Sequence, residues 1–458
     1  MDASASDSPA PDSPTRGAPP SASDPSVPAP GPRPAPGGID TPAARGTAEH
    51  GAHGAPGVPG VHGVPDTDDP EAAGVPPLVT LTRIREAAGI LRGVVVRTPL
   101  LRFGPPIPDD PLGRTRAWLK PESLQPIGAF KLRGAYYNVT SLPAERRAAG
   151  VVAHSSGNHA QGVARAARLL GVRAVIVMPS DAPAVKVERV RADGAEIVVV
   201  GPSSEERAER AAELARRDGL TMVAPYDDAA TIAGQGTIGL EIVEQLAEIE
   251  AVAAAVGRTG GAAAVAAVRA SRAAAHADQA ASPAGGAASP GGGPTTPPTP
   301  FTVLVPVGGG GIASGVATAV KSLAPHATVL GVEPELAADA RDSLREGRIV
   351  TWPADRVGQT IADGQRTAHI GVIPFAHLRR YLDGVLVVSE DEIARAMVRA
   401  SREARLVLEP SGATTLAAWL FHAGELPTTG PVVCILSGGN VDPARYRALL
   451  ERGLAAGA

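Results

Sequence analysis

Short apolar runs alternate along the chain with longer segments in which apolar residues recur every three or four positions. The apolar runs predict seven strands: Val151–Ala153, Ala174–Met178, Glu196–Val200, Thr221–Ala224, Thr302–Val307, Thr328–Val332 and Val432–Leu436. The segments between them predict helices, and capping-box pairs at Ser203/Glu206 and Ser389/Glu392 mark two helix starts. This alternation predicts α/β layers around a mainly parallel sheet.

Two stretches break the pattern. Residues 1–76 are rich in Pro, Ala, Gly and Ser, and residues from about 251 to 300 combine Ala-Gly-rich and Pro-Thr-rich portions. Both have too few large apolar side chains to offset the entropy lost on ordering. We therefore expect a disordered tail at 1–76 and a low-complexity surface insertion at 251–300 that leaves the core intact.

Composition and charge exclude several classes of protein. The chain has 458 residues, a formal net charge of -4 and 3% aromatic residues, a balance that argues against a nucleic-acid partner. Its single cysteine, Cys434, rules out an internal disulfide framework and fits a reducing compartment. No apolar run approaches the length of a membrane span, and the N-terminus lacks the features of a signal peptide. We expect a cytoplasmic protein without a membrane partner.

Lysine is rare in this sequence, which makes each lysine informative. Among 43 lysines and arginines, only four are lysines: Lys120, Lys131, Lys186 and Lys321. A primary amine can form an imine with a carbonyl, and a guanidinium cannot replace it in that role. Lys131 follows Gly128-Ala129-Phe130 and opens a predicted helix, Leu132–Val139, so it can face a cleft. The alternative interpretation is an ordinary solvated lysine.

Polar residues gather at two junctions where a predicted strand meets a helix. His154–His159 (His-Ser-Ser-Gly-Asn-His) offers hydroxyls, an amide and backbone N–H groups at a helix start, which suits a carboxylate. Ser437–Asn440 (Ser-Gly-Gly-Asn) follows the strand that holds Cys434. An N-cap in the first case and a glycine-rich turn in the second are the alternative interpretations.

A third junction consists of four consecutive glycines, Gly308, Gly309, Gly310 and Gly311, after the predicted strand at 302–307. Such a loop lets backbone N–H groups approach a phosphate, and the dipole of the following helix adds to the attraction. The same glycines, with Glu333 at the end of the next strand, also imitate a dinucleotide fingerprint. This stretch alone is compatible with both ligands.

Acidic residues cluster after the predicted strand at 328–332. Two carboxylates and an intervening carbonyl in Glu333–Asp339 have the oxygen chemistry of a Mg²⁺ or Ca²⁺ site. Solvated carboxylates in the first turn of a helix are the commoner explanation of such a pattern.

Taken together, these motifs resemble a known family. Pro126–Ala135 (Pro-Ile-Gly-Ala-Phe-Lys-Leu-Arg-Gly-Ala) is similar to the Schiff-base lysine motif of pyridoxal-phosphate (PLP) enzymes of fold type II, the threonine and serine dehydratase and serine racemase family. It departs at Ala129, where serine is common, which affects a local hydrogen bond but not the imine. The implied fold is α/β and like tryptophan synthase β, with two open parallel-sheet domains and helices on both faces. The implied catalytic region is 77–450, with a large domain at about 77–120 and 226–450 and a small domain at about 121–225.

The resemblance also assigns roles to individual residues. The implied catalytic residues are Lys131, which holds the cofactor, and Ser156, which faces the opposite side of the cofactor. The implied cofactor contacts are Phe130, Lys131, Asn158 near the phenolic oxygen, Gly308, Gly309, Gly310, Gly311, and Ser437 at the pyridine nitrogen. The implied substrate contacts are Ser155, Ser156, Asn158, His159 and Arg207. The implied metal ligands, for Mg²⁺ or Ca²⁺, are Glu333, Ala337 and Asp339.

The activity that this resemblance implies is an L-threonine or L-serine ammonia-lyase, working as a homodimer or homotetramer on a small amino acid. A serine opposite the ring nitrogen makes PLP a weaker electron sink than a carboxylate would, which favours loss of a β-hydroxyl. The short segment after Asp442 predicts no isoleucine-binding regulatory domain. Serine racemase and 3-hydroxyaspartate dehydratase remain alternatives on the same fold. An NAD-dependent dehydrogenase and a catalytically silent binding protein are alternatives from other classes.

Overall fold

The computed structural model describes residues 77–104, 117–155, 157–182, 184–259 and 299–458. The strands are β1 (Leu101–Phe103), β2 (Ala117–Pro121), β3 (Val151–His154), β4 (Ala174–Pro179), β5 (Glu196–Val200), β6 (Thr221–Met222), β7 (Thr302–Pro306), β8 (Thr328–Pro334), β9 (Gly384–Val388) and β10 (Val432–Leu436). The predicted tail at 1–76, most of the predicted insertion, and Ser156 lie outside the described residues.

Helices connect most of these strands. They are α1 (Leu81–Ile90), α2 (Lys131–Ser141), α3 (Ala144–Ala149), α4 (Asn158–Leu170), α5 (Ala184–Ala192), α6 (Ser204–Asp218), α7 (Ala229–Thr259), α8 (Gly311–Leu323), α9 (Asp339–Glu346), α10 (Ala354–Val357), α11 (Val372–Tyr381), α12 (Glu390–Arg399), α13 (Pro410–Phe421) and α14 (Pro443–Ala455). Helix α7 continues through Thr259, so the first residues of the predicted insertion are helical. None of the described helices is both long and apolar enough to cross a membrane.

The larger sheet has six strands in the order β1-β2-β10-β7-β8-β9. All neighbours are parallel except β1, which runs antiparallel to β2 at the edge. The last strand, β10, lies in the interior, with Val432 opposite Ala117 of β2 on one side and Thr302 of β7 on the other. Every residue of β7 and β10 is buried, as expected for a parallel sheet covered on both faces.

The smaller sheet has four parallel strands in the order β5-β4-β3-β6. Strands β3 and β4 are almost entirely buried, whereas β5 at one edge is partly exposed. Strand β6 contains only Thr221 and Met222, the two residues that pair with β3. It is shorter than the predicted strand Thr221–Ala224. The prediction of parallel-sheet α/β layers is therefore confirmed, with two sheets.

The core of the larger sheet follows the alternation of its strands. Leu304 and Cys434 face one side, where they pack with residues of α12 and α13 such as Met397 and Leu416. Val303 and Val433 face the other side, in a cluster that includes residues of α7 and α8. The sheet is thus covered on both faces, and the polar groups that carry chemistry lie at its strand ends.

Helix starts follow the predicted caps in part. The Ser389 hydroxyl accepts a hydrogen bond from the Glu392 backbone N–H, and the Glu392 carboxylate accepts one from the Ser389 N–H, which completes a capping box. Ser203 accepts from the N–H groups of Glu205 and Glu206 at the start of α6. In the described part of the chain no return bond to the Glu206 carboxylate completes that second box.

The two sheets meet through the segment that precedes α2. Ala129 forms an isolated antiparallel bridge with Gly438, just after β10. The Phe130 backbone N–H donates to the Ser437 carbonyl at 3.1 Å. The lysine motif is therefore held against the carboxyl end of the larger sheet, where ligands of such sheets usually bind.

Candidate active site

Lys131 is the first residue of α2, with Phe130 as its N-cap. Its Nζ donates a hydrogen bond to the Pro225 carbonyl at 2.7 Å and lies 5.0 Å from the centroid of the Phe130 ring. Burial lowers the pKa of Lys131 to about 8, and no carboxylate among the described residues forms an ion pair with it. About a tenth of the amine is therefore unprotonated at pH 7, far more than for a free lysine with a pKa near 10.5, and the unprotonated form is the nucleophile.

The glycine loop leads from β7 into α8, and Gly310, at φ 91°, is the N-cap of that helix. A Cβ added at Gly309 would lie 2.3 Å from the ring of Tyr226, and one at Gly311 would lie 2.9 Å from the Tyr226 backbone. Only glycine fits against this tyrosine without displacing it. The loop thus presents backbone alone at a helix N-terminus, which fits a phosphate.

Ser437 ends β10 and is buried. Its hydroxyl donates to the Ser411 carbonyl at 3.2 Å. Since its own carbonyl accepts from Phe130, Ser437 lies beside the segment that carries Lys131. The structure therefore brings together the lysine and serine that the sequence places more than 300 residues apart.

The loop after β3 approaches the same place. Asn158 begins α4, and its side-chain amide donates to Glu409 Oε1 at 2.6 Å and accepts from Asn440 Nδ2 at 2.8 Å. The Ser155 hydroxyl accepts from the Gly157 N–H at 3.2 Å, so it shapes the turn before α4. Asn158 and Ser155 lie where a carboxylate can approach the N-terminus of α4.

His159, the second residue of α4, is held through its imidazole ring. Its imidazole is buried, and Nε2 lies 2.8 Å from the Val223 carbonyl, which can only accept, so Nε2 carries the proton. Burial, with a smaller contribution from the Lys131 charge, lowers the pKa of His159 to about 3. His159 is therefore a neutral ring bonded to the backbone after β6, and its Nδ1 has no hydrogen-bond partner in the described residues.

Arg207 lies in the first turn of α6. Burial lowers its pKa, which the Asp181 charge opposes, and its own charge contributes to lowering the pKa of His154 at the end of β3. Arg207 therefore places positive charge near the loop that contains Ser155 and Asn158.

The predicted metal ligands lie after β8. The two carboxylate oxygens of Glu333 accept from the N–H groups of Ala340 and Arg341, and burial together with the Asp339 charge raises the pKa of Glu333 well above its usual value. Burial raises the pKa of Asp339 to about 7. Neither Asp339 oxygen has a well-formed hydrogen bond within the described residues, although its own N–H and that of Ile370 lie near enough to oppose the effect of burial.

Two adjacent buried carboxylates, one of them lacking firm partners, fit a divalent cation in charge and in ligand type. The described residues contain no cluster of three or more His, Cys, Asp or Glu side chains able to hold a metal. A site here would therefore need a backbone oxygen, and the predicted one belongs to buried Ala337. The metal site stays a prediction.

A buried amine of lowered pKa, an anion-binding glycine loop and a hydroxyl beside the lysine define an enzyme that holds a phosphate-bearing cofactor through a lysine. The sequence model of one family, described as pyridoxal-phosphate dependent enzyme, matches residues 91–299 and 294–438. The chain belongs to this family, and its cofactor is pyridoxal phosphate. The dehydrogenase and silent-binder alternatives leave these features together unexplained.

Relatives and solved structures agree with this assignment. An L-threonine ammonia-lyase of Geobacter sulfurreducens is 36% identical over 83% of this chain and 80% of its own length. An L-threo-3-hydroxyaspartate ammonia-lyase of Saccharomyces cerevisiae is 35% identical over 80% of this chain and 95% of its own. Maize serine racemase superposes with a TM-score of 0.65 at 32% identity, covering 83% of this chain and 99% of that one. The predicted fold type II architecture is confirmed.

Two residues of the site were assigned no role from the sequence. Tyr226 packs against the glycine loop, and Glu409 bonds Asn158. Glu409 is buried, and burial together with the Asp363 charge raises its pKa to about 8. Its position between Leu408 and Pro410 was the available signal, because a carboxylate rarely stands in an apolar setting without a partner.

Proposed function

We propose that this protein is a PLP-dependent ammonia-lyase that converts L-threonine to 2-oxobutanoate and ammonia, or L-serine to pyruvate and ammonia, by β-elimination. The observation that carries the proposal is the Lys131 amine, which burial leaves with a pKa of about 8 and without a carboxylate partner. The Geobacter sulfurreducens relative named L-threonine ammonia-lyase supports the same activity.

PLP, when bound, supplies an electron sink for the bond that breaks at the substrate Cα. Lys131 would hold the cofactor covalently and, once displaced by the substrate amine, move the Cα proton. The N–H groups of Gly308–Gly311 would hold the phosphate at the start of α8. Ser437 would face the pyridine nitrogen, where a hydroxyl keeps the ring a weaker acceptor than a carboxylate would.

On the substrate side, Ser155 and Asn158 would orient the carboxylate at the N-terminus of α4. His159 keeps its proposed place at the substrate carboxylate, with its neutral ring bonded to the Val223 carbonyl. Ser156 keeps its proposed place on the opposite side of the cofactor. Glu333, Ala337 and Asp339 would hold Mg²⁺ or Ca²⁺ and neutralise the buried carboxylates.

The test combines a spectrum, a covalent label and product analysis. The purified protein should absorb visible light as a lysine-bound PLP, and borohydride reduction followed by peptide mapping should place the label on Lys131. Incubation with L-threonine or L-serine should release ammonia and the matching 2-oxo acid. A label on another lysine, or a coloured protein that releases no ammonia from either amino acid, would contradict the proposal.

A second candidate substrate is 3-hydroxyaspartate, and racemisation of serine is a related possibility on this fold. The observation that favours a dicarboxylate is Arg207, whose positive charge lies near His154 and the start of α4. The Saccharomyces cerevisiae relative is named for 3-hydroxyaspartate. Turnover on 3-hydroxyaspartate, L-threonine and L-serine at equal concentration, with chiral analysis of the remaining serine, separates these activities.

The proposal includes an organisation and an assembly. The small domain would span about 121–225, which contains all four strands of the smaller sheet, β3 to β6. The large domain would consist of about 77–120 and 226–450, with the low-complexity insertion at 251–300. The enzyme would work in the cytoplasm as a homodimer or homotetramer, which light scattering coupled to gel filtration measures directly.

A further inference from the structure

Three polar side chains form a continuous chain of hydrogen bonds beside the proposed cofactor site. Asn440 Nδ2 donates to Asn158 Oδ1 at 2.8 Å, and Asn158 Nδ2 donates to Glu409 Oε1 at 2.6 Å. The three residues come from the loop after β10, the start of α4 and the N-cap of α13. These hydrogen bonds therefore join the smaller sheet to the larger one.

The orientation of the Asn440 amide follows from its fixed neighbours. Its Nδ2 lies 2.7 Å from the Ile127 carbonyl, which can only accept a hydrogen bond. Its Oδ1 faces Arg189 Nη1, which can only donate. The nitrogen and oxygen of this amide are thus determined from both ends, and both N–H groups of Asn440 are in use.

The orientation of Asn158 then follows from that of Asn440. Because the Asn440 nitrogen faces it, the atom of Asn158 on that side must be the oxygen. Its nitrogen is turned toward Glu409, which takes one of the two N–H groups. In the part of the chain that the structure describes, the second N–H has no acceptor, so it remains available to donate to a ligand.

Glu409 is held as a rigid acceptor. Its backbone N–H donates to the Gly438 carbonyl at 3.2 Å, and its carbonyl accepts from the Gly412 N–H at 2.9 Å. A Cβ on Gly438 would lie 2.2 Å from Glu409 Oε1, so glycine at that position leaves room for the carboxylate. The side chain is buried, which keeps water from replacing it as the partner of Asn158.

We propose that Glu409 is a positioning residue that, with Asn440, turns the free N–H of Asn158 toward the phenolic oxygen of the bound PLP. This inference rests on the proposed function and on the role of Asn158 within it. A hydrogen bond to that oxygen favours its deprotonated form, so the alignment of the Asn158 amide sets the pH at which the bound cofactor changes colour.

The experiment is a pH titration of the visible absorbance of the holoenzyme and of three variants. Asn158→Ala removes the donor and should raise the midpoint by about one pH unit, the size expected for one lost charge-assisted hydrogen bond. Glu409→Leu should raise the midpoint in the same direction. The double variant should rise no further than Asn158→Ala, because Glu409 acts through Asn158.

The direction of the shift separates this role from a direct electrostatic one. Two charged side chains lie close enough to Glu409 to affect its pKa. The Asp363 carboxylate raises it, and the Lys186 ammonium lowers it. If Glu409 acted only as a negative charge near the cofactor, its removal would lower the midpoint instead of raising it. A lowered midpoint in Glu409→Leu, an unchanged one, or additive shifts in the double variant would each overturn the inference.

Two further variants distinguish the proposed role of Glu409 from a general loss of stability. Glu390→Leu removes a buried carboxylate whose Oε2 accepts from the Ile361 N–H at 2.6 Å, and it should lower the melting temperature without moving the midpoint. If Glu409→Leu does not fold, Asn440→Leu removes the other group that orients Asn158 and should raise the midpoint, and an unchanged value overturns the inference. A wild-type protein without bound PLP would instead refute the proposed function itself.

Discussion

Two lysines close to each other in the sequence are buried in opposite ways. Lys120, the fourth residue of β2, is fully buried, and its Nζ donates to Glu241, Gln245 and the Thr98 carbonyl at 2.5 Å, 3.0 Å and 2.7 Å. Lys131 has one acceptor, the Pro225 carbonyl at 2.7 Å. The first amine is surrounded by acceptors, whereas the second is left with one neutral partner.

The difference shows how one buried lysine is suited to a structural role and another to a chemical one. Burial lowers the pKa of both amines, but the charges of Glu241 and Glu122 oppose this effect at Lys120. Nothing opposes it at Lys131. Burial alone therefore does not distinguish the two lysines: the nearby carboxylates favour the ammonium form at Lys120, and no such carboxylate favours it at Lys131.

The sharpest test of this comparison removes the reactive amine. Lys131→Ala should lower ammonia release from L-threonine by at least about 10³-fold, since both the covalent attachment and the proton transfer are lost. The absorption of lysine-bound PLP should disappear at the same time. Lys321→Ala, at a surface pair with Asp383, is the matched control and should keep both properties. Residual activity above one tenth of wild type would show that another group performs the chemistry.

The structural lysine should give the opposite result. Lys120 and Arg133 balance the carboxylates of Glu122 and Glu241 in one buried cluster, so Lys120→Met leaves an excess negative charge. We expect the free energy of unfolding to fall by about 3–5 kcal/mol, with PLP still bound in the folded fraction. Urea denaturation measures the change.

The double variant Lys120→Met/Glu241→Gln tests the reason for that loss. It restores the charge balance of the cluster, since Arg133 still pairs with Glu122. It should therefore be more stable than Lys120→Met alone. A double variant that is less stable would show that lost hydrogen bonds, and not unpaired charge, dominate.

The pKa of Lys131 can be measured through the rate at which the apo-protein captures PLP. Only the unprotonated amine reacts, so the rate should rise about tenfold per pH unit below pH 8 and level off near a pKa of about 8. A rise that continues toward pH 10 would mean that the folded protein leaves this amine like a solvated lysine.

The same pKa predicts a trend in stability. The unfolded chain holds the Lys131 proton up to a pKa near 10.5, whereas the folded apo-protein releases it near 8. Between these values the unfolded state binds more protons, so the contribution of Lys131 to the unfolding free energy should rise with pH. Comparing apo wild type with Lys131→Met across this range isolates that contribution.

The smallest effect belongs to a lysine on the surface. Lys321 pairs with Asp383 while both side chains remain partly exposed, at 17% and 39%. Lys321→Ala should lower the free energy of unfolding by at most about 1 kcal/mol, and added salt should reduce the difference further. A larger, salt-independent loss would place Lys321 with Lys120 rather than with ordinary surface pairs.

The sequence predicted the strands that are buried on both faces, because their apolar runs are continuous. Val432–Leu436, which is fully buried, has the predicted bounds, and so does the partly exposed edge strand Glu196–Val200. It missed β2, where Lys120 and Pro121 interrupt the apolar pattern, because only the tertiary partners Glu241 and Gln245 make that lysine an interior residue. A local pattern does not contain contacts made by distant parts of the chain.

The site shows the same division. Lys131, the glycine loop and Ser437 could be predicted because each lies in a short motif with a distinctive local sequence. Glu409 lies in a segment that also fits an ordinary turn, and its bond to Asn158, 251 positions earlier in the chain, appears only in the structure. The neutral, backbone-bonded state of His159 was likewise beyond local reasoning, since Val223 determines it.

The place of β10 has a consequence for biosynthesis. Among the described strands β10 is the last in chain order, yet it is inserted between β2 and β7, and Ser437 and Asn440 follow it directly. A nascent chain that ends before β10 has a gap in the middle of its larger sheet. The vitamin-derived cofactor can therefore be secured only after translation of this strand, so truncated products should emerge from the cell colourless.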